Sequence, residues 1–319
     1  MLRCRFRRRR NVPIYDTACF QLSLFQILRR IQHRKKAELN FVGVEMIYIY
    51  LIVSAALIPI LNNFFDILKQ PYSWWLVPVL FIGFFLAFII IQLATFALMI
   101  QFTDREKSPD KGVKFFRFLV KHSLPIIIAV ARVKINSSGL DKLPENTHML
   151  FVCNHQHDFD PIIMLSAFPD ADMGFVGKKE IYVTMPFISK AMHRLYSQPI
   201  DRENDREAAK TIIKIIHILK EDKASIALFP EGYCSKSCDL LPFRNGSLKT
   251  AIKAQVPIAV CVINNTQAIP KNMFRRKTEV EFRLLDVIYP EQFADMNTVQ
   301  LGDMIHAQML EALNEIRGK

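Results

Sequence analysis

The sequence predicts an α/β fold in which helices cover a sheet, preceded by a helical hairpin in a membrane. From Val133 onwards, short apolar runs alternate with segments of helical periodicity, which is typical of an α/β sheet. Before that point lie two uncharged stretches, residues 46–65 and 70–103. Each is long enough to cross a bilayer, which needs roughly 20 apolar residues.

The α/β part contains seven predicted strands and five predicted helices, each placed from its hydrophobic period and its flanking turn residues. The strands are expected at 133–136, 149–153, 173–176, 197–200, 225–229, 257–263 and 280–288. The helices are expected at 162–168, 186–195, 204–220, 246–255 and 298–316. No internal repeat and no low-complexity tract interrupts this alternation.

The positive charge of the chain is concentrated at its N-terminal end. The formal net charge is +12, of which residues 1–37 carry +10, so the remainder has only +2. This distribution does not predict a nucleic-acid binder, which needs a basic face on a folded domain. Residues 20–31 place apolar side chains near helical spacing before a basic cluster. They predict either an amphipathic helix on anionic lipid or a solvated linker.

The sequence therefore divides into four regions. A basic N-terminal arm is expected at 1–40, a two-helix membrane hairpin at 41–104, an amphipathic connector at 105–132 and a cytoplasmic α/β domain at 133–319. Because basic residues precede the first apolar run, the N-terminus is expected in the cytoplasm, and two crossings return the chain there. A shallow hairpin within one leaflet is the alternative, since Pro59 and Pro71 lie near its turn.

The connector should form a helix resting on the membrane surface. Lys114, Arg117 and Lys121 share one helical face, and Phe115 lies on another. Pro125 is expected to kink or end this helix. The six cysteines show no zinc-ligand spacing, and no signal peptide is apparent, so nothing in the sequence predicts an oxidising compartment.

The loop after the predicted strand 149–153 holds the first candidate site. His155 and Asp160 stand five residues apart, and a carboxylate near a histidine fixes its tautomer and stabilises the imidazolium. His157 and Asp158 are rival candidates for the same roles. The alternative without catalysis makes Asp160 the N-cap of the next helix and His155 an ordinary loop residue.

The His155-x-x-x-x-Asp160 spacing resembles the first motif of the glycerolipid acyltransferase family, whose best-known members acylate lysophosphatidic acid. The segment 229–232, Phe-Pro-Glu-Gly, resembles the acceptor-binding hallmark of that family. The resemblance implies a mixed sheet flanked by helices, with His155 and Asp160 as catalytic residues. It also implies that Glu231 orients a hydroxyl, while Gly232 lets the backbone approach the substrate closely.

Further segments resemble the remaining family blocks. Arg202 ends a segment at 197–202 that implies phosphate binding, and Lys178 or Lys179 follows the preceding strand in a basic turn. A surface Arg202 paired with Asp201 or Glu203 is the alternative. The stretch 255–258 resembles the last block, usually assigned to the acyl donor, although packing alone accounts for most of it.

The chain departs from the family after Gly232. The family usually continues Thr-Arg-Ser, with the arginine on phosphate, whereas this sequence has Tyr233-Cys234-Ser235. Lys236 or Arg244 is expected to supply the missing charge. The departure leaves other acceptors open, namely glycerol 3-phosphate, another lysophospholipid or another amphiphilic alcohol.

The resemblance implies an integral membrane O-acyltransferase of phospholipid biosynthesis with its catalytic domain on the cytoplasmic face. The acceptor is a membrane lipid and the donor is acyl-CoA or acyl carrier protein. The mechanism requires neither a cofactor, nor a metal, nor an acyl-enzyme, because the acceptor hydroxyl is itself the nucleophile. A non-catalytic membrane scaffold is the alternative of another class.

Overall fold

The computed structural model describes residues 45–65, 73–107, 109–110, 113–235, 238–273 and 275–318. The predicted basic arm, with its possible amphipathic segment at 20–31, lies outside these residues. So does the link between the two apolar segments, at 66–72.

A seven-stranded mixed sheet forms the centre of the α/β part. Its strands are β1 (Val133–Ser138), β2 (Leu150–Cys153), β3 (Met173–Lys178), β4 (Gln198–Ile200), β5 (Ser225–Leu228), β6 (Ile258–Asn264) and β7 (Thr278–Ile288). They lie in the order β1-β7-β6-β2-β5-β3-β4. Every neighbouring pair is parallel except β6 and β7, so β2 and β5 end at the same edge of the sheet.

Ten α-helices accompany this sheet within the described residues. They are α1 (Glu45–Phe65), α2 (Leu76–Gln101), α3 (Val113–Val130), α4 (Asp160–Ala167), α5 (Lys179–Thr184), α6 (Pro186–Arg194), α7 (Asp205–Lys220), α8 (Lys249–Ala254), α9 (Ile269–Asn272) and α10 (Thr298–Arg317). Short 3-10 turns lie between several of them.

Both faces of the sheet are buried. On β2, Phe151 and Cys153 pack into a core that includes Ile163 of α4. Leu150 and Val152 point to the other face, where α7, α8 and α10 pack. Because successive strand residues face opposite sides, a strand covered on both faces is apolar throughout. This explains why the run before the candidate site contains no polar residue.

The predicted strands and helices of the α/β part agree with the structure to within a few residues. The helix α5 is the main omission, because its six residues are too few to show a periodic pattern. Its presence corrects the prediction of a basic turn. Lys178 is the last residue of β3, and Lys179 begins α5 without an intervening turn.

Two helices are long and apolar enough to cross a membrane, namely Met46–Phe65 within α1 and the whole of α2. In the 18-residue segment tested in each helix, only 17% and 6% of the residues, respectively, are buried inside the protein. They are therefore not the core helices of a globular domain, which are mostly buried.

The connector helix α3 differs from its prediction in two respects. It continues past Pro125 to Val130, so the proline does not end it, and the alternative of a kink at Pro125 stays a prediction. Two of its three basic residues also face the α/β part: Arg117 pairs with Asp172, and the Lys121 Nζ lies 2.6 Å from the Asp170 carboxylate, whereas Lys114 is exposed. Its exposed side carries apolar side chains, such as Phe115 and Phe118.

Polar contacts connect the apolar helices to the α/β part. The Tyr50 hydroxyl of α1 donates to Gln92 of α2 at 2.6 Å, and the Gln92 amide donates to Ser123 of α3 at 3.0 Å. Beyond α2, Arg105 donates to the Ser189 hydroxyl of α6 at 2.8 Å. These bonds fix the end of α2 against a helix that follows β3.

Candidate active site

His155 lies in the loop that follows β2, with its side chain 12% exposed. Its Nδ1 is 2.7 Å from Asp160 Oδ2. Because an ionised carboxylate only accepts hydrogen bonds, this contact places the imidazole proton on Nδ1 and leaves the lone pair on Nε2. The Phe229 ring stacks on the imidazole with the ring centroids 4.2 Å apart, which further limits its rotation.

Asp160 is completely buried and accepts four hydrogen bonds. Besides the His155 ring, Oδ2 accepts from the backbone N–H groups of Gln156 and His157, at 2.6 and 2.9 Å. Oδ1 accepts from the Thr266 hydroxyl at 2.5 Å. A buried carboxylate is stable only when its oxygens are satisfied in this way.

The suggestion that Asp160 is merely the N-cap of the next helix is wrong. The helix α4 begins at Asp160 itself, and its N-cap is Phe159, which makes no side-chain cap. The Asp160 carboxylate instead accepts from residues that precede it in the chain, including His155. The position of Asp160 therefore shapes the loop of residues 154–159, which we call the histidine loop.

Of the two rival candidates, His157 turns its ring away from the carboxylate. Its Nδ1 accepts from the Phe159 N–H at 3.2 Å, and only its backbone N–H reaches Asp160. Asp158 is exposed, with Oδ1 4.0 Å from the sulfur of Cys234. The structure thus brings together the residues with the family spacing, His155 and Asp160.

Two side chains that the sequence analysis overlooked hold the histidine loop to the end of β6. The Asn154 side chain both donates to the Ile263 carbonyl, at 2.9 Å, and accepts from the Ile263 N–H, at 2.8 Å. The Gln156 side-chain oxygen, Oε1, accepts from the Asn265 N–H at 2.8 Å. In the sequence, the only sign of this role was the position of the polar Asn154 directly after a fully apolar strand. That position did not identify its partner, which lies about 110 residues later.

Glu231 joins the histidine loop to the loop after β5. Its Oε1 accepts from the His155 N–H at 2.6 Å, and its Oε2 accepts from the Leu241 N–H at 2.8 Å. The Ser235 N–H adds a bond to the His155 carbonyl at 2.8 Å. Both carboxylate oxygens are therefore engaged by backbone groups, and the predicted contact of Glu231 with an acceptor hydroxyl stays a prediction.

Gly232 adopts a positive φ of 77° beside Arg244. A Cβ atom at this position would lie 3.2 Å from both Cδ and Nε of Arg244. Glycine thus serves two needs here, since it tolerates the left-handed backbone and lets the arginine side chain pass close by. The predicted approach of the Gly232 backbone to a substrate is a separate expectation.

Arg202 and Arg244 converge on the ring of Tyr233, with their guanidinium carbons 5.3 and 5.2 Å from its centroid. Arg244 also donates to the Tyr233 hydroxyl and to the Arg202 carbonyl, both at 3.2 Å. Burial, followed by the charge of Arg244, lowers the pKa of Arg202, partly offset by Tyr233. We call Arg202, Tyr233 and Arg244 the cationic cluster.

Neither arginine of the cationic cluster forms an ion pair within the part of the chain that the structure describes. Asp201, the expected partner of Arg202, instead lies 3.1 Å from the Lys179 Nζ. Glu203 approaches the Tyr233 hydroxyl, at 3.4 Å. The interpretation of Arg202 as a surface residue paired with a neighbouring carboxylate is therefore wrong.

The predicted lysines are placed differently. Lys178 ends β3 beside β4, with its Nζ 3.6 Å from Glu180. Lys236 lies outside the described residues. The first cationic partners for an anionic ligand are therefore Arg202 and Arg244, with Lys178 near the same edge of the sheet.

Cys234 occupies a position that the sequence analysis did not predict. Its sulfur lies 3.0 Å from His155 Nε2, the nitrogen left free by the contact with Asp160. Burial alone would lower the pKa of His155, but the hydrogen bonds with Asp160 and Cys234 outweigh it and raise this pKa to about 9. Burial raises the pKa of Glu231 to about 7, against the opposing effect of its backbone hydrogen bonds.

This arrangement suits proton transfer at a site open to solvent. Nε2 is a lone-pair nitrogen at the edge of the protein, and the buried carboxylate on the opposite nitrogen stabilises the ring once it is protonated. Cys234, which contacts His155, directly follows Tyr233 of the cationic cluster. The loop after β5 therefore joins the base, which lies in the loop after β2, to the group that could bind an anion.

Comparisons with known proteins show similarity to acyltransferases. Residues 134–264 match the family model described as Acyltransferase. A 1-acyl-sn-glycerol-3-phosphate acyltransferase of Salmonella typhimurium is 33% identical over 124 residues, covering 39% of this chain and 50% of the relative. Its namesake in Cocos nucifera is 28% identical over 172 residues, covering 53% of this chain and 55% of the relative. The chain thus spans about half the length of these curated relatives.

A solved structure shares the fold. The 1-acyl-sn-glycerophosphate (LPA) acyltransferase PlsC of Thermotoga maritima superposes with a TM-score of 0.56 and 22% sequence identity. The superposition covers 73% of this chain and 90% of that one. The residues that match the Acyltransferase family model include His155, Asp160 and the cationic cluster.

Proposed function

We propose that the protein is a membrane-bound 1-acyl-sn-glycerol-3-phosphate acyltransferase. It transfers a fatty acyl group from a thioester to the free hydroxyl of a lysophosphatidic-acid-like glycerolipid, in phospholipid biosynthesis. The observation that carries the proposal is the His155–Asp160 pair, whose Nε2 contacts Cys234, the residue that follows Tyr233 of the cationic cluster. The two arginines of that cluster form no ion pair among the described residues. The names of the relatives point to the same acceptor.

His155 acts as the general base. Nε2 accepts the proton of the acceptor hydroxyl as its oxygen attacks the thioester carbonyl, and Asp160 stabilises the imidazolium that results. Asp160 accepts from Gln156, His157 and Thr266 as well, so its carboxylate keeps one position while the ring changes charge. The thiol of the donor leaves with a proton returned by His155.

The phosphate of the acceptor binds at the cationic cluster. A guanidinium matches two phosphate oxygens with parallel charge-assisted hydrogen bonds, which a neutral group does not reproduce. Arg202 and Arg244 have no carboxylate to displace among the described residues, so a dianion gains their full attraction. The Tyr233 ring keeps both side chains near one place before the ligand arrives.

The acyl donor is acyl-CoA or acyl carrier protein. A thioester of either kind presents the same carbonyl to the attacking hydroxyl, so the chemistry at His155 does not distinguish them. Neither a metal nor an organic cofactor takes part in the proposed transfer.

A second candidate acceptor follows from Cys234. The family usually has a phosphate-binding arginine at this position, and here its place is taken by a neutral thiol against His155. With one cation fewer, glycerol 3-phosphate, a lysophospholipid with a head group, or another amphiphilic alcohol competes as the acceptor.

The assay that tests this function compares these acceptors directly. Purified full-length protein in detergent is supplied with acyl-CoA or acyl carrier protein. The acceptors are lysophosphatidic acid, glycerol 3-phosphate, lysophosphatidylcholine and monoacylglycerol. We expect the highest kcat/KM for lysophosphatidic acid. Transfer to monoacylglycerol alone, or to none of the four, would contradict the proposal.

The helices α1 and α2 anchor the protein in the membrane as a hairpin, with both ends in the cytoplasm. Their lipid-facing surfaces are apolar, and the exposed Trp74 and Trp75 at the start of α2 suit the bilayer interface. The Tyr50–Gln92–Ser123 hydrogen bonds satisfy polar groups that would otherwise face hydrocarbon. The orientation follows from the basic residues that precede α1.

Exposed apolar side chains on α5 and α6 extend this membrane contact to the α/β domain. Val183, Met185, Phe187 and Ile188 are all exposed, and α6 is joined to the end of α2. Tags at the N-terminus, in the 66–72 link and at the C-terminus test the topology. We expect the two terminal tags to be accessible from the cytoplasmic side and the link tag from the other. A C-terminal tag reached only from the opposite side contradicts the orientation, and a link tag reached from the cytoplasm indicates a one-leaflet hairpin.

A further inference from the structure

The side chains of His155, Asp158 and Cys234 form a cluster that the acyl-transfer mechanism does not use as a unit. One nitrogen, one carboxylate oxygen and one sulfur lie within 4.8 Å of one another. The residues come from two loops, after β2 and after β5, which is why no sequence spacing indicated a zinc site. Cys234 is exposed and free, so a solvated cation has access to the cluster.

The separations of these atoms are close to those of a tetrahedral zinc site. Zn–S bonds of about 2.3 Å and Zn–N or Zn–O bonds of about 2.0–2.2 Å place neighbouring ligand atoms roughly 3.5 Å apart. Here the sulfur is 3.0 Å from His155 Nε2 and 4.0 Å from Asp158 Oδ1. Small side-chain rotations of opposite sense would bring both distances to the required value.

The surroundings of His155 also match those of a metal-binding histidine. Such residues typically donate the proton of their other ring nitrogen to a carboxylate, which fixes the tautomer that leaves a lone pair for the metal. Asp160 does this at Nδ1, so Nε2 is directed at the cluster. The Phe229 ring stacks on one face of the imidazole.

We propose that His155, Asp158 and Cys234 bind a zinc ion that switches the acyltransferase off. Zinc replaces the thiol proton of Cys234, which is released to solvent, and occupies the lone pair of His155 Nε2. The acceptor hydroxyl then has no base to take its proton. The zinc site stands on its own geometry, whereas its inhibitory effect rests on the proposed acyltransferase function.

The binding part of the test uses full-length protein that is freed of metal and kept reduced. Zinc alone is titrated by calorimetry. We expect one equivalent to bind at this site, and Cys234→Ser or Asp158→Asn to weaken its affinity at least ~10-fold through the loss of a ligand. Cys238→Ser is the matched control, a free cysteine four residues away, and should bind zinc as the wild type does. Cobalt should give a thiolate-to-metal absorption band that only Cys234→Ser abolishes.

The activity part compares each variant with itself, with and without zinc. Zinc at its binding concentration should inhibit the wild type and Cys238→Ser, and a chelator should restore their activity, while Cys234→Ser should resist inhibition. Absence of saturable binding, or unchanged binding by Cys234→Ser, overturns the site. Bound zinc that leaves acyl transfer unaffected overturns the switch. Zinc binding without any acyl transfer keeps the site and refutes the proposed function instead.

Discussion

The His155–Asp160 pair and the cationic cluster lie on neighbouring loops but differ in how their polar groups are satisfied. Asp160 is fully buried and each of its oxygens accepts from the protein. The guanidinium groups of Arg202 and Arg244, in contrast, rest on a tyrosine ring without an ion pair in the described part of the chain. The first region is complete within the protein, and the second leaves its charge for a ligand.

This difference suggests a division of labour. A base must hold one orientation and one tautomer throughout the reaction, which favours a network that the protein itself completes. A binding group for a phosphate gains most when no internal carboxylate competes for it. We therefore expect changes in the first region to lower kcat and changes in the second to raise KM for phosphate-bearing acceptors.

Removing the base should give the largest effect. His155→Ala should lower kcat at least ~100-fold, because general-base catalysis contributes at least that much. Since the residue lies in a loop, the circular dichroism spectrum should be unchanged. His157→Ala is the matched control, because its ring does not contact Asp160, and it should retain activity within a few-fold. Near-normal turnover by folded His155→Ala would remove His155 as the base.

The pH dependence should follow the ionisation of His155. The neutral imidazole is the active form, and its pKa is raised to about 9. Thus kcat/KM should increase about tenfold per pH unit between pH 6 and 8 and level off near the pKa. Cys234→Ala removes a hydrogen bond that raises this pKa, so the rising limb should move to lower pH. A profile that is flat from pH 6 to 9 would contradict this assignment.

A smaller effect, on stability, is expected from the contact between Asp160 and Thr266, which follows β6. Thr266→Val removes the hydroxyl that donates to Asp160 Oδ1, leaving a buried carboxylate oxygen without that partner. The cost should be about 1–3 kcal/mol of unfolding free energy. It should be seen as a lower midpoint of thermal unfolding in detergent. Thr147→Val, at an exposed threonine, is the control. Equal midpoints for the two variants would show that Thr266 does not support the carboxylate.

Much of the α/β fold could be predicted because its strands are buried on both faces and therefore appear as short apolar runs. The His155–Asp160 contact was also accessible, since both residues lie in one loop and their spacing is short. Thr266, Asn154 and Gln156 were not recognised as part of the site, because their contacts join segments far apart in sequence. Cys234 was noticed only as a departure from a motif, and its contact with His155 depends on how β2 and β5 pair.

The contacts of Arg202 are a second feature that the sequence did not predict. From sequence alone, the neighbouring Asp201 and Glu203 made a local ion pair the simplest interpretation. The fold instead brings Lys179, the first residue of α5, to Asp201, and Tyr233 from the loop after β5 to Arg202. Which neighbour a charged side chain contacts is decided by the strand order, which a single sequence does not specify.

The division of labour between the two regions is tested most directly by Arg202→Ala with two acceptors that differ in the phosphate. Loss of charge-assisted hydrogen bonds should raise KM for lysophosphatidic acid about 10- to 100-fold. The kinetics for monoacylglycerol, and kcat for both acceptors, should change little. Arg206→Ala, at an exposed arginine on α7, should behave as the wild type. If Arg202→Ala impairs both acceptors equally, Arg202 supports the fold rather than the phosphate, and the proposed separation of the two regions is wrong.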